Sequence, residues 1–554
     1  MSQSQEASPV LPSSAVEEVA ALRRLVKAQE QSIAELQQVI ETLMARNQQQ
    51  AERIEQLEAE VCNQKKLKGR PKISPSRLNA GKGMGEKTGE GKRAGSAKKG
   101  KKQNFEVDEE RIIEPETVPE GSEFNGYRDY DVQELELKRH NIRFRLAEYV
   151  TPEGKTVVGE LPKEYHKGHY GPLLLGYILY QYYQCRVSQA LLYEQLSEWG
   201  IEISVGQLHN ILSEHKESFH AEQKQVLQAA LEHSGYIHTD DTGARHQGKN
   251  GYCTVIGNEW FTYFHSSASK SRLNFLEVLQ GGACRYVLNA AAREYLAPLP
   301  LAQKYEAQLS FSEQLLAESA QDWQAYLVAQ GIVSAKAVQL VTEAALFGGL
   351  MSQSINPALR LLSDGAKQFN LLTHGLCWVH AERALRRLQG NTQKQRDNIA
   401  EVQDLLWQYY QQLKQYQMEP TAQGKITLEL SFDQLFGRCY LHHATLNIVL
   451  KGFREHKAQL LLVLDYPQFP LHNNGAETDI REYVLRRKIS GGTRSKAGQQ
   501  ARDTLIGLKK TCRKLGISFW QFLLSRLHQD GEVPPLPDIL RHKAKAALAL
   551  STGI

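Results

Sequence analysis

No run of apolar residues in this 554-residue chain is long. Stretches such as Leu173-Leu174-Leu175 last a few residues, far short of the roughly 20 that a membrane helix needs. Met1 to Pro9 is polar and has no basic start, so a secretory signal is not expected. Cysteine is sparse: seven residues, at 62, 185, 253, 284, 377, 439 and 512, with no Cys-x-x-Cys pair. An odd, scattered set argues against a disulfide framework and against a four-cysteine zinc site. These absences describe a cytoplasmic chain without a membrane partner. Its length suggests about three or four domain-sized units.

Net charge is also nearly absent, at +5, but its distribution is uneven. Residues 61–105 hold 14 Lys/Arg and two Glu, a local +12, which leaves the remainder at −7. The segment is rich in Gly and poor in apolar residues, so it cannot bury enough surface to fold alone. It reads as a disordered basic linker suited to nucleic acid phosphates, or as a solubilising spacer. Within it, Lys68-Gly69-Arg70-Pro71-Lys72 resembles the core of an AT-hook. Such a strand lays Arg in a narrow A·T minor groove. An acidic stretch follows, with eight acids and one Arg between Glu106 and Glu123.

Before this linker, residues 16–61 carry a heptad pattern. Val26, Ile33, Ile40, Asn47, Ile54 and Val61 recur at spacing seven, with Leu22, Gln29, Leu36, Leu43, Gln50 and Leu57 at the facing position. β-Branched residues at the first position with Leu at the second favour two parallel strands, and Asn47 fits the device that fixes register. The expectation is a coiled-coil homodimer, with a single amphipathic helix as the alternative. Residues 124–165 alternate, as in Ile142-Arg143-Phe144-Arg145-Leu146, and contain a Pro152-Glu153-Gly154 turn, which predicts a small β element. Residues 166–228 read as helical. Two helices, 188–199 and 204–215, join through Gly200, and Ser204 with Gln207 suits a capping box. This helix-turn-helix shape either packs or places Gln207, His209 and Asn210 in a major groove.

From about residue 235 the pattern changes. Gly235–Asp240, Tyr252–Gly257 and Trp260–His265 read as three strands, with Asn250-Gly251 and Gly257-Asn258 as turns. A helix is expected at 269–280, a strand at Leu359–Asp364, a further strand at Leu376–His380 and a charged helix at 475–488. Most of 285–350 and 381–465 reads as helical, and 497–528 as the last helical region.

Three acids stand out by position. Asp240 closes a strand in His238-Thr239-Asp240-Asp241-Thr242-Gly243, Asp364 closes another before Gly365, and Glu477 lies one turn into a helix after Asn473-Asn474. Hard cations such as Mg²⁺ need convergent carboxylate oxygens. Two metals about 3.5–4 Å apart can activate one oxygen and stabilise another. Clustered carboxylates repel, so the metal-free site should hold raised pKa values. Each acid taken alone also fits a turn, a helix cap or, for Glu477, an ion pair with Arg481. Cys377 and His380 form a pair at metal-ligand spacing without two further partners, and read as structural or DNA-adjacent. Arg481, Arg486, Arg487 and Lys488 share the Glu477 helix and suit DNA phosphates.

In combination these blocks resemble the transposases of the insertion-sequence-66 family. The resemblance rests on Thr239-Asp240-Asp241-Thr242, Ser363-Asp364-Gly365 through Asn370, Cys377-Trp378-Val379-His380-Ala381-Glu382-Arg383, Asn473-Asn474-Gly475-Ala476-Glu477-Thr478-Asp479-Ile480-Arg481, and then Arg487 to Gly492 and Leu505-Ile506-Gly507-Leu508. It implies an α/β ribonuclease H-like catalytic core with helical insertions, preceded by a coiled coil, a disordered linker and a helix-turn-helix-like domain. The implied boundaries are a flexible tail to 15, the coiled coil at 16–61, the linker at 62–123, the β element at 124–165, the helical DNA-binding region at 166–228, the core at 229–490 with insertions near 283–355 and 381–470, and a C-terminal helical region at 491–554.

The resemblance implies metal-dependent cleavage and joining of DNA in a bacterial, nucleoid-associated protein. Asp240, Asp364 and Glu477 would hold two Mg²⁺ or Mn²⁺, and Asp241 has a secondary role. Partners would be element ends, target DNA and accessory proteins of the same element. The family's zinc module usually precedes the helical domain, but residues 106–165 contain no cysteine, so no zinc is expected. The alternatives are a DNA-binding regulator on an inactive scaffold and a ribonuclease H-like nuclease without strand transfer.

Overall fold

The computed structural model describes residues 107–165 and 168–552, with scattered positions between 26 and 50. The chain divides into two units, residues 1–136 and 137–554. In the first, the described positions from 26 to 44 are helical. Val26, Ile33, Leu36, Ile40 and Leu43, all heptad positions, are 51–61% exposed. Residues 107–136 carry no helix or strand. The AT-hook-like Lys68, Arg70 and Lys72 lie outside the described residues.

The second unit begins with a hairpin of β1 (Glu148–Val150) and β2 (Thr156–Val158), turning through Gly154 at φ +75°. The alternating run 142–146 is not a strand. Four helices follow: α1 (Pro172–Leu179), α2 (Gln189–Glu198), α3 (Val205–Ser213) and α4 (Glu217–His233). Gly200, at φ +69°, ends the second of these in the left-handed conformation that glycine adopts without strain. Ser204 Oγ caps α3 by accepting from Gln207 N at 3.1 Å.

The main sheet starts with β3 (Tyr236–His246), β4 (Lys249–Gly257) and β5 (Thr262–Ser267), an antiparallel meander. Helix α5 (Arg272–Leu279) leads into an insertion holding β6 (Tyr286–Val287), α6 (Ala290–Leu296), β7 (Leu315–Ala317) and α7 (Ala320–Ala329). The two strands pair with each other, so this stretch is not purely helical. Helix α8 (Ala335–Met351) returns the chain to β8 (Arg360–Ser363) and β9 (Thr373–Leu376). The sheet order is β5-β4-β3-β8-β9, with β8 parallel to both neighbours. This mixed sheet with flanking helices fits a ribonuclease H-like core.

Two strand boundaries differ from expectation. β3 does not end at Asp240. It runs six residues further, because a two-residue turn at Gln247 (φ +49°) and Gly248 (φ +76°) pairs His246 with Lys249. Positive φ at both positions matches the right-handed twist of a hairpin. Asn250-Gly251 therefore lies inside β4. The strand expected at 376–380 is instead β9, ending at Leu376, followed by α9 (Trp378–Arg386). Buried Trp378, Val379, Glu382 and Leu385 follow the helical period.

The second insertion continues with α10 (Gln393–Met418), α11 (Ala422–Phe436) and α12 (Ala444–Glu455). Trp378 anchors it to the sheet: its indole N–H donates to Leu460 O at 2.9 Å, and its ring packs among Tyr409, Phe432 and Phe436. Helix α13 (Asn474–Ser490) then packs on β3 and β4, and α14 (Lys496–Leu515) lies against β5, α3 and α4. Residues 501–512 of α14 are all buried, charged ones included. Helices α15 (Phe519–His528) and α16 (Leu536–Thr552) close on α1 and α4. No helix among the described residues is long and apolar enough to cross a membrane.

Candidate active site

The sheet register places two of the acids. His238 pairs with Leu362 across the parallel β3–β8 ladder. Two residues on, Asp240 and Asp364 follow at corresponding positions, just past the end of the paired stretch. Ladder pairing with β8 has ended there, while β3 stays paired to β4 through Asp240 opposite Val255. Asp364 is exposed and Asp240 half-buried. Asp240 Oδ1 accepts from Asp241 N at 2.8 Å, and Asp364 Oδ1 accepts from Ala366 N at 3.0 Å. The second oxygen of each carboxylate accepts no hydrogen bond among the described residues.

The turn below Asp364 is held by Ser363. Its hydroxyl pairs with His374 Nε2 at 2.8 Å and accepts from Gly365 N at 3.0 Å. Gly365 sits at φ +91°, where a side chain would be strained and a Cβ would press on Leu376 at 3.1 Å.

Glu477 arrives from the first turn of α13. Asn473, at the helix N-terminus, is fully buried and ties that turn to the sheet. Its Nδ2 donates to Thr239 O at 2.8 Å, beside Asp240, and its backbone N–H donates to Cys377 Sγ at 3.1 Å. Gly475 then passes over buried His238, where a Cβ would lie 2.5 Å from the ring. Further along, Asp479 meets Lys510 at 3.0 Å and Lys514 at 2.5 Å from α14, and Thr262 Oγ1 at 2.8 Å from β5. Burial alone would raise the Asp479 carboxyl. The nearby His238 ring, 3.6 Å away, and the two lysine charges hold it well below the usual range.

Electrostatics mark Asp240. Burial first, then the charges of Asp364, Glu477 and Asp241, push its pKa up to about 7, against one opposing bond from Asp241 N. The direction matches the expectation for clustered carboxylates, although burial is the larger cause. Asp241 points to other partners: Thr254 Oγ1 donates to it at 2.5 Å and Gln368 Nε2 at 2.9 Å.

The third acid is differently held. Arg383 Nη2 lies 2.8 and 3.1 Å from the two oxygens of Glu477. Arg383 Nη1 also reaches His380 Nε2 at 2.8 Å, and that nitrogen is 3.7 Å from Glu477. Burial and the Arg383 charge lower the His380 pKa, and because a guanidinium only donates, Nε2 is the acceptor of the bond from Arg383.

Among the described residues, no three acidic, histidine or cysteine side chains form a ready-made metal cage. The donor types nevertheless suit a hard cation: Asp240 and Asp364 each keep a carboxylate oxygen without a hydrogen bond, while Glu477 is held by Arg383.

The other sequence-derived sites divide. Cys377 is buried under Asn473 and is structural, whereas His380 stands beside Glu477. Gln207, His209 and Asn210 are exposed on α3, away from the acids in sequence and fold. Arg481 and Lys488 are exposed and Arg487 is half-buried on α13. Arg486 corrects the expectation of a phosphate contact: it is 1% exposed, stacked 3.5 Å from the Tyr182 ring centroid and bonded to Val187 O at 3.4 Å. It turns inward because α13 packs that face on the helical region. Sequence reasoning missed Arg383, Asn473, Gly475 and Gln368 as positioning residues. The signal for Arg383 was its one-turn spacing from His380.

Residues 358–501, which span Asp364, the Arg383 helix and Glu477, match the family described as Transposase IS66 family. An uncharacterized protein, y4jO, of Sinorhizobium fredii is 39% identical over 325 residues, covering 58% of this chain and 100% of the relative. These matches lead to one conclusion: the chain belongs to the Transposase IS66 family.

Proposed function

We propose that the protein is an insertion-sequence transposase that cuts element ends and joins them to target DNA with Asp240, Asp364 and Glu477. The observation that supports this most is the pair of carboxylates on adjacent strands, each with a free oxygen, and a third acid on the helix beside them. These three would hold two Mg²⁺ or Mn²⁺ ions, which when bound supply Lewis-acid activation of one oxygen and charge stabilisation of another. No zinc is proposed.

In the first step water attacks the phosphorus at the element end. The bond to the 3′ oxygen breaks, leaving a 3′-hydroxyl on the element and a 5′-phosphate on the flank. That hydroxyl then attacks a target phosphodiester in line, forming one P–O bond and releasing the target 3′-hydroxyl. In the metal-free fold burial and the neighbouring acids hold the Asp240 carboxyl up at about 7, so it would give up its proton as it takes a cation. Arg383 steadies Glu477 and His380 between turnovers. Arg481, Arg487 and Lys488 would contact phosphates near the acids, while Gln207, His209 and Asn210 of α3 and the Lys68-Arg70-Lys72 segment would bind ends. The heptad segment would pair two chains, so that two ends meet, with accessory proteins of the same element assisting.

The test is a cleavage and joining assay on DNA carrying the element ends, with Mg²⁺ or Mn²⁺. Asp240→Ala, Asp364→Ala and Glu477→Ala should each reduce joining at least about 1,000-fold while DNA binding is kept. Joining that survives one substitution removes that acid from the site. Binding without cleavage, with accessory proteins present, favours a regulator; cleavage without joining favours a nuclease.

A further inference from the structure

We propose that the groove between the β3–β4 hairpin and the Ser490–Arg494 loop binds the phosphodiester backbone of duplex DNA as it leaves the acids. This rests on the DNA-processing reading above and adds Arg245, Arg494 and Tyr252 to it.

The groove is a built feature. After α13 ends at Gly491, the chain turns back onto the hairpin. Gln247 N donates to Thr493 O at 2.8 Å, Thr493 N donates to Arg245 O at 2.9 Å, and the His246 ring pairs with Thr493 Oγ1 at 2.9 Å. The loop thus extends the hairpin as a short parallel bridge. The groove is open to solvent and offers about 820 Å³.

Its chemistry is one-sided. Of thirteen lining residues, three are arginine (Arg245, Arg487 and Arg494), five are glycine and none is acidic. Arg487 and Arg494 have no hydrogen-bond or ion-pair partner among the described residues. Arg245 spends one N–H on Gly248 O at 3.3 Å. Lys270 lies 5.6 Å from the Tyr252 ring at the rim and adds a fourth cation. The glycines leave main chain bare. A Cβ at Gly492 would lie 2.5 Å from Arg245 O, so no side chain can fill the space there. A polyanion with regularly spaced charges suits such a wall: arginine forks take phosphate oxygens, and bare backbone allows close approach.

Position relates the groove to the acids. Gly243, in the wall, is three strand residues from Asp240, about 10 Å along β3. Arg487 is ten helix residues from Glu477, about 15 Å along α13. With a rise of about 3.4 Å per nucleotide along one strand, both routes correspond to about three to four base pairs of duplex. DNA gripped at the acids would meet the arginines within half a helical turn.

The experiment is equilibrium binding by the full chain in EDTA, followed by fluorescence anisotropy over roughly 50–300 mM salt. One probe is a labelled duplex carrying an element end, the other an unrelated duplex. Arg494→Ala and the Arg245→Ala/Arg494→Ala pair should weaken binding about three- to tenfold per arginine. They should also reduce the slope of log K against log salt by about 0.9 per arginine lost. Arg494→Lys should restore the slope, and Lys451→Ala, on the insertion helix α12, should leave it unchanged. Loss confined to the element-end duplex identifies its DNA as the occupant; equal loss on both duplexes identifies target or non-specific DNA. An unchanged slope in the double variant, with its melting temperature intact, overturns the groove. Because no cleavage is read, this result stands apart from the joining assay: joining can fail with the groove confirmed, and the groove can fail with joining intact.

Discussion

Asp240 and Asp364 sit on neighbouring parallel strands, whereas Glu477 comes from a helix 113 residues further along the chain. The strand pair is aligned by the β3–β8 backbone ladder that ends two residues before the acids, and Asp240 stays on the β3–β4 ladder. The helical acid depends on a sequence of contacts instead. Asn473 ties the first turn to Thr239 O, Gly475 clears His238, Asp479 clamps the helix to α14, and Arg383 holds the carboxylate itself. The comparison teaches that this site has a rigid half and an adjustable half. The rigid half lies where the sheet opens, and the adjustable half lies where a helix docks on it.

The comparison breaks most sharply at Gly475. Val at this position places three carbons against a buried imidazole, the first of them 2.5 Å from the ring. Overpacking of this kind costs about 1–3 kcal/mol, and it displaces the turn that carries Glu477. Gly475→Val should lower joining more than about 100-fold, because misplacement by about 1 Å has that effect, while the β3–β8 acids stay in register. A joining assay beside a melting curve checks this; full activity would show that α13 does not depend on the close approach.

The rigid half has an electrostatic cost. The Asp240 carboxyl is raised to about 7 in the fold, by burial first, from an unfolded value near 3.9. The folded state therefore binds the proton more tightly, and stability falls as pH rises from about 4 to about 7. Asp240→Asn should remove that loss. In EDTA the variant should be more stable than the parent by about 1–3 kcal/mol at pH 8, and equal to it near pH 4. Asp503, also raised to about 7 by burial, adds the same slope to both proteins and cancels in the difference. Equal melting temperatures at pH 8 would show that Asp240 carries no such burden.

A smaller effect is expected at Arg383. Its bond to Glu477 competes with any cation for the same oxygens. Arg383→Gln should tighten Mn²⁺ binding about three- to tenfold, within the 1–3 kcal/mol of a charge-assisted bond. Titration followed by Mn²⁺ electron paramagnetic resonance reads this without activity, and weaker binding would mean that Arg383 positions Glu477 for the metal instead. The smallest effect belongs to Asp241, whose oxygens are taken by Thr254 and Gln368. Asp241→Asn keeps a carbonyl acceptor for Thr254 and should cost joining less than about fivefold; a loss matching that of Asp240→Ala would make it a ligand.

Much of this was legible in residues. The charged helix and the two helices joined through Gly200 follow from periodicity, capping and turn chemistry, whereas the three acids stood out as a set only through the family resemblance. The second half of β3 was not, because Thr242-Gly243-Ala244-Arg245-His246 is polar and glycine-bearing and lacks an apolar period. Its turn, Gln247-Gly248, is no strong hairpin pair, whereas the stronger Asn250-Gly251 is absorbed by the strand. Arg486 misled for a related reason: charge on a helix says nothing about which face is covered. The small β6–β7 pair lay in a stretch that reads as helix because two- and three-residue strands carry too little period to register.

The sequence by itself determined the chemistry available: which carboxylates exist, which blocks they sit in, and which family the pattern resembles. Those follow from residue identity and short-range spacing. Only the tertiary structure decided that Asp240 and Asp364 follow the end of one ladder, that Arg383 occupies Glu477, and that Arg245, Arg487 and Arg494 converge on one groove. Each of these joins residues tens to hundreds of positions apart, through sheet register and helix docking that minimise buried unpaired polar groups across the whole fold.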